Sequence, residues 1–134
     1  AVARSASGAG VDAVLACGTG ADPWNPNALR ASTGAVFSVP VATAPAGEIV
    51  AALRERSVRL LAAAPDARDI YTDLDLTGPV AFLLGAENRG LTAEMRAAAD
   101  GACRIPMNGA ADSLNVSVSA AILVYEARRQ RDGT

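Results

Sequence analysis

Two glycine-bearing stretches hold most of the side chains that could do chemistry. Gly85-Ala-Glu-Asn-Arg-Gly90 follows the apolar run Val80–Leu84 and carries Glu87, Asn88 and Arg89. Ile105-Pro-Met-Asn-Gly-Ala-Ala-Asp-Ser113 follows a second apolar run and leads to Asn115 and Ser117. Polar residues in turns between buried elements are where a ligand site is expected, and glycines there let the backbone approach a ligand closely. Taken one at a time, these residues also have ordinary structural readings. Glu87 and Arg89 suit a solvated strand-to-helix turn, Ser113 and Asn115 suit helix caps, and Ser117 and Ser119 suit hydroxyls bonded back to the preceding turn. Arg4 reads alone as a surface arginine and Trp24 as the anchor of its turn. A third loop, Cys17-Gly-Thr-Gly20, faintly resembles a dinucleotide loop. Its third glycine position is Pro23 and no helix opens before Pro26, so a plain turn is the better reading.

Composition removes several chemistries. The chain has 134 residues and no histidine. Ser-His-Asp and Cys-His catalysis, histidine metal sites and a histidine base are therefore excluded within it, and no metal is expected. The 12 basic residues are all arginine, against 14 acidic residues, for a formal charge of −2. No global basic field announces a nucleic-acid partner, yet every positive site can fork onto phosphate or carboxylate. Cys17 and Cys103 are far apart in apolar runs, which argues against a disulfide framework and for a reducing cytoplasm. No apolar run reaches membrane-spanning length.

The elements that must position these loops alternate. Val11–Cys17, Val36–Val41, Val58–Ala62, Val80–Leu84 and Ala102–Pro106 read as strands, and Val80–Leu84 has the uniform apolar character of a central parallel strand. Pro26–Thr33, Gly47–Arg56, Thr92–Ala99 and Ser113–Gln130 read as helices, with Asn25-Pro26 and Thr92 as starts. The last helix carries two apolar stripes. Leu114, Val118, Ala121, Ile122 and Tyr125 form one, and Val116, Ala120, Leu123 and Val124 the other. Such a helix is expected to be covered on two sides, by its own sheet and by a partner subunit. The pattern predicts one α/β domain with a mainly parallel sheet flanked by helices. AVARSASGAG reads as the last turns of a helix and lacks an initiating Met, so at least a strand and the start of that helix are expected upstream.

Together the segments resemble the SpoU-type RNA ribose 2′-O-methyltransferases of the SPOUT superfamily, over nearly the whole chain. Arg4 in AVARSA matches the arginine of the first family motif, FLLGAENRGL the second, and IPMNGAADSLNVSVSAA the third. DPWNPNALRASTGAVFSVPV is similar to the segment after the first motif. The first motif normally also has an asparagine a few positions before its arginine, which would fall ahead of Ala1.

The resemblance implies a C-terminal deep trefoil knot, a homodimer, S-adenosylmethionine as cofactor and RNA as substrate, without a metal. It implies Arg4, Glu87 and Asn115 as the catalytic group. It places Leu84, Gly85, Glu87, Gly90, Ile105, Met107, Ser113, Leu114 and Asn115 around the cofactor, and Arg4 and Arg89 against RNA. A guanidinium stays protonated, so Arg4 is expected to grip a phosphate and stabilise a developing alkoxide rather than act as a base. Family members act on ribosomal or transfer RNA, and some that modify ribosomal RNA confer resistance to ribosome-targeting antibiotics. Here 23S ribosomal RNA is the favoured substrate and transfer RNA the alternative. The rival classes are a non-catalytic RNA- or cofactor-binding relative and, on the Gly18/Gly20 turn alone, a nicotinamide oxidoreductase.

Overall fold

A computed structural model describes residues 14–16, 41–85, 91, 93–109 and 116–133. Its elements are strands β1 (Val14–Ala16) and β2 (Val41–Thr43), helix α1 (Ala46–Glu55), strand β3 (Arg59–Ala63), a 3-10 turn at Tyr71–Asp73, strand β4 (Val80–Leu83), helix α2 (Ala93–Ala98), strand β5 (Gly101–Cys103) and helix α3 (Val116–Asp132). β1 pairs parallel with β2. β3 lies between β4 and β5, parallel to both. The expected α/β fold, a parallel sheet flanked by helices, is the one observed.

The three-stranded sheet is covered on both faces because successive side chains of a strand point to opposite sides. Leu60 and Leu83 pack with Met95 of α2, joined by Val50 and Leu53 of α1 and by Ala81. Leu61, Val80 and Phe82 face the other way, against Leu76 and Ala127 of α3. Leu60, Leu61 and Ala62 are all buried, as expected of a strand covered on both faces. β3 is therefore the central strand of the described sheet. Among the described strands, Val80–Leu84, expected to be central, lies at the edge, with Leu83 buried and its other residues half-buried. Uniform apolarity reports two covered faces, which an edge strand under helices also has.

Gly101 lies tight against a side chain of the neighbouring strand. A Cβ there would stand 3.3 Å from Leu61 Cδ2. Just before it, Asp100 pins the start of β5 to β3 at Leu60. Its N–H donates to Leu60 O at 2.8 Å, and its carboxylate accepts from Leu60 N–H at 2.8 Å. Arg54 of α1 reaches the same corner, donating to Ala98 O and standing 3.6 Å from the Asp100 carboxylate.

α1 ends in a Schellman turn. Val58 N–H donates to Leu53 O and Ser57 N–H to Arg54 O, both at 3.0 Å. Ser57 holds the left-handed position, with φ 56°. At the end of α3, Gly133 takes φ 73°, as a glycine does without cost.

Element limits differ modestly from those expected. β5 ends at Cys103 rather than Pro106. Arg104 leaves the ladder to bridge Ile70, donating from its N–H to Asp69 O and accepting from Tyr71 N–H. The described β2 starts where the Val36–Val41 strand was expected to end. The Pro26–Thr33 helix and residues 36–40 lie outside the described residues.

α3 separates its two expected stripes. Ala120 and Leu123 of one stripe are buried, as is Ala127 a turn further on. Val118 and Tyr125 of the other are 41% and 49% exposed. Cys103 is a free, buried cysteine, and Cys17 lies outside the described residues. Among the described residues, no helix is long and apolar enough to cross a membrane.

Candidate active site at the carboxyl edge of the sheet

Because β4, β3 and β5 are parallel, their C-terminal ends open on one edge. Ala62 is level with Leu83, and Ala63 with Cys103. Neighbouring strands lie about 4.8 Å apart, so the residues leaving β4 and β5 start roughly 10 Å from each other across β3. The open carboxyl edge of such a sheet is the usual ligand position in α/β folds.

The edge is built from three chain exits. Leu84 and Gly85 leave β4, and both are half-buried. Ile105 and Met107 leave β5, and both are also half-buried, while Pro106, Asn108 and Gly109 are exposed. Between them Ala64 is buried and Pro65 and Asp66 are exposed. The structure thus brings together Leu84, Gly85, Ile105 and Met107 from the predicted set. Arg4, Glu87, Arg89, Gly90, Ser113, Leu114 and Asn115 lie outside the described residues. Along the chain, Glu87–Gly90 joins Gly85 to α2, and Ser113–Asn115 immediately precedes α3.

Two contacts fix this edge. Arg96 of α2 donates to the Asp66 carboxylate at 2.7 Å, tying the exit of β3 to the helix that follows the Glu87–Gly90 loop. That hydrogen bond, more than the ionic attraction, holds the Asp66 carboxyl below its usual range. The Arg104–Ile70 bridge fixes the backbone directly ahead of Ile105. Beneath the edge, burial pushes the Cys103 thiol up, which keeps it protonated and unreactive. Asp66 and Arg96 were not singled out in the sequence. The only signal was Pro65-Asp66 closing the apolar run of β3, and nothing in it indicates a partner thirty residues away.

In donor chemistry the edge is mixed. Leu84, Ile105 and Met107 offer apolar surface, and Gly85 leaves the backbone bare beside them. Apolar walls beside bare backbone suit a flat heteroaromatic ring. Among the described residues, no cluster of three His, Cys, Asp or Glu could hold a metal ion.

The model of the family described as "SpoU rRNA Methylase family" matches residues 1–125. The chain belongs to this family. It is 36% identical, across 97% of its length, to the 23S rRNA (uridine(2479)-2′-O)-methyltransferase of Streptomyces viridochromogenes. It is 51% identical, across 59% of its length, to the tRNA (guanosine(18)-2′-O)-methyltransferase of Thermus thermophilus. Among solved structures it superposes on the SpoU methyltransferase AviRb of S. viridochromogenes in complex with AdoMet, with a TM-score of 0.93 and 32% identity over 99% of this chain and 55% of that one. The chain spans 47% and 41% of the lengths of the two curated relatives, about half of each.

Proposed function

We propose that the protein is an S-adenosylmethionine-dependent methyltransferase acting on a ribose 2′-hydroxyl of RNA, with 23S ribosomal RNA as the favoured substrate and a role in antibiotic resistance as one form of it. The observation that carries this reading is the meeting of Leu84-Gly85 with Ile105–Met107 at one sheet edge, in a member of the SpoU family. These segments come from two family motifs that are separate in sequence, and their convergence is what a shared cofactor requires. The relative covering 97% of the chain acts on 23S ribosomal RNA, and this supports the choice of substrate. Transfer RNA is the alternative, supported by the Thermus relative.

The cofactor would supply an electrophilic methyl group on a sulfonium. Leu84, Gly85, Ile105 and Met107 fit its adenosine, through apolar walls and backbone groups, with Gly90, Ser113 and Leu114 completing the pocket. Arg4 would hold the phosphate beside the target ribose and stabilise negative charge developing on its 2′-oxygen. Glu87 and Asn115 would orient Arg4 and the cofactor, and Arg89 would face the RNA. The main contribution of the chain is then alignment of methyl donor and hydroxyl, which can supply several kcal/mol of the barrier.

The same reading includes a deep trefoil knot in the C-terminal third, a catalytic domain spanning residues 1–134, a cytoplasmic location and a homodimer. The exposed Val118 and Tyr125 of α3 support the dimer as a face for a second copy. A non-catalytic relative is the second reading, disfavoured by the joint presence of Arg4, Glu87 and Asn115. Mapping 2′-O-methyl sites in total RNA from cells with and without the protein tests the proposal. A site that disappears with the protein supports it and names the RNA, and identical maps overturn it.

A further inference from the structure

The chain crosses from one side of β5 to the other at the place where the candidate cofactor wall begins. Ala64, which leaves β3, donates its N–H to Cys103 O at 3.0 Å, on the β3 side of β5. Arg104 N–H belongs to the same planar trans peptide as Cys103 O, so it points to the opposite side. There it donates to Asp69 O at 2.9 Å, and Arg104 O accepts from Tyr71 N–H at 3.1 Å. Ile70 therefore pairs with Arg104 along the edge of β5 that faces away from β3. Ala64 and Asp69 stand on opposite sides of one strand, roughly 10 Å apart.

Residues 65–68 make that crossing. A bond from Ala67 N–H to Ala64 O at 3.1 Å draws them in. Both ends of the crossing are level with Cys103 and Arg104, so it passes directly beside the point where Ile105 leaves β5. It is held in three places. Cys103 O takes its start, Arg104 takes its end, and Arg96 of α2 holds the Asp66 carboxylate in its middle at 2.7 Å. The 3-10 turn at Tyr71–Asp73 steadies the far anchor, since Asp73 N–H donates to Ile70 O at 2.9 Å. Ile105 and Met107, both half-buried, come directly after Arg104. Backbone hydrogen bonds are directional, so a residue held through both its N–H and its C=O sets the course of the residues that follow it.

We infer that Tyr71 is a positioning residue for the cofactor wall, and that it acts through its backbone N–H. By holding Arg104 O it fixes the residue immediately ahead of Ile105, and with it the course of Ile105 and Met107. This rests on the cofactor site proposed above.

Proline at position 71 tests it, because proline lacks only the N–H that matters. Tyr71 opens a 3-10 turn, a position where proline fits, and Ile70 already has the extended backbone (φ −80°, ψ 139°) that a residue before proline adopts. Tyr71→Ala, which loses the side chain and keeps the N–H, is the reference. Calorimetry is expected to show S-adenosylmethionine binding to Tyr71→Pro about tenfold more weakly than to Tyr71→Ala. KM for the cofactor should rise in step, with kcat at saturating cofactor the same within about threefold. Coupling is reciprocal, so the cofactor must in turn hold the Tyr71–Arg104 bond shut. In the wild-type protein, added cofactor should slow hydrogen exchange of the Tyr71 and Arg104 amides more than that of Leu60 N–H, which is bound near the other end of β3. That comparison decides the matter if Tyr71→Pro fails to fold. Equal cofactor affinity in the two variants, or equal slowing at Tyr71, Arg104 and Leu60, overturns the inference. A wild-type protein that binds no S-adenosylmethionine overturns the proposed function, and the positioning role falls with it.

Discussion

Leu60 and Asp100 pair reciprocally. Each N–H is taken by the other residue, Leu60 N–H by the Asp100 carboxylate and Asp100 N–H by Leu60 O, both at 2.8 Å. Leu60 is fully buried, so its N–H has no access to water once the carboxylate is gone. Asp100→Ala is expected to cost about 2 kcal/mol, the range for an orphaned buried donor, and Asp100→Asn less, because an amide oxygen still accepts. Urea unfolding of the two variants checks the order.

Ser57 stands in the left-handed position that closes α1, where a side chain is strained and glycine is not. Ser57→Gly should raise stability by about 0.5 kcal/mol, less than the full left-handed penalty because glycine also loosens the unfolded chain. Thermal unfolding would show it as a higher midpoint.

Glu126 is held below its ordinary range mainly by the hydrogen bond from Arg129, with a further contribution from Gln130. A carboxyl whose folded value is lowered stabilises the fold above its unfolded value, and that stability is lost as pH falls through the folded value. The urea midpoint should therefore drop as pH falls through and below the ordinary carboxylate range. Glu126→Gln should start less stable at neutral pH and show a shallower drop. Asp66 and Asp75, also lowered, leave a residual slope in the variant.

Ile105 is half-buried at the carboxyl edge. Ile105→Ala should weaken S-adenosylmethionine binding by about tenfold, as expected for about 1.4 kcal/mol of lost apolar contact. Its stability should fall less than that of Leu61→Ala, where a fully buried side chain is removed and a loss of about 3 kcal/mol is expected. Calorimetric titration and urea unfolding separate the two effects.

The elements were legible wherever apolar residues repeat with a clear period. Gly47–Arg56 becomes Ala46–Glu55, and Val58–Ala62 becomes Arg59–Ala63, because Ile49, Leu53, Leu60 and Leu61 mark their buried faces. The connection from Ala64 to Pro79 was not legible. Its order comes from Asp75 turning onto Thr77, from the Arg104 bridge and from the Gln130 amide, all pairings between polar groups that no period announces. The arginines near the end of α3 were read as suiting its negative pole. Arg128, Arg129 and Arg131 also hold specific partners, the Asp132 carboxylate, the Glu126 carboxylate and Gly78 O. At the site, the two loops were visible as glycine-bearing polar turns, and parallel pairing brings their first residues to one edge. The role of Arg4 came from family resemblance alone, since a lone arginine carries no local signature.

Methyl transfer itself tests the central claim most directly. The protein is incubated with methyl-labelled S-adenosylmethionine and either ribosomal or transfer RNA, and the RNA is digested to nucleosides. The account predicts label in a 2′-O-methylated nucleoside, with a rate lowered about 100-fold or more by Arg4→Ala, the scale expected for losing a charge-stabilising donor. Label on a base, or none on any ribose despite cofactor binding, would contradict it.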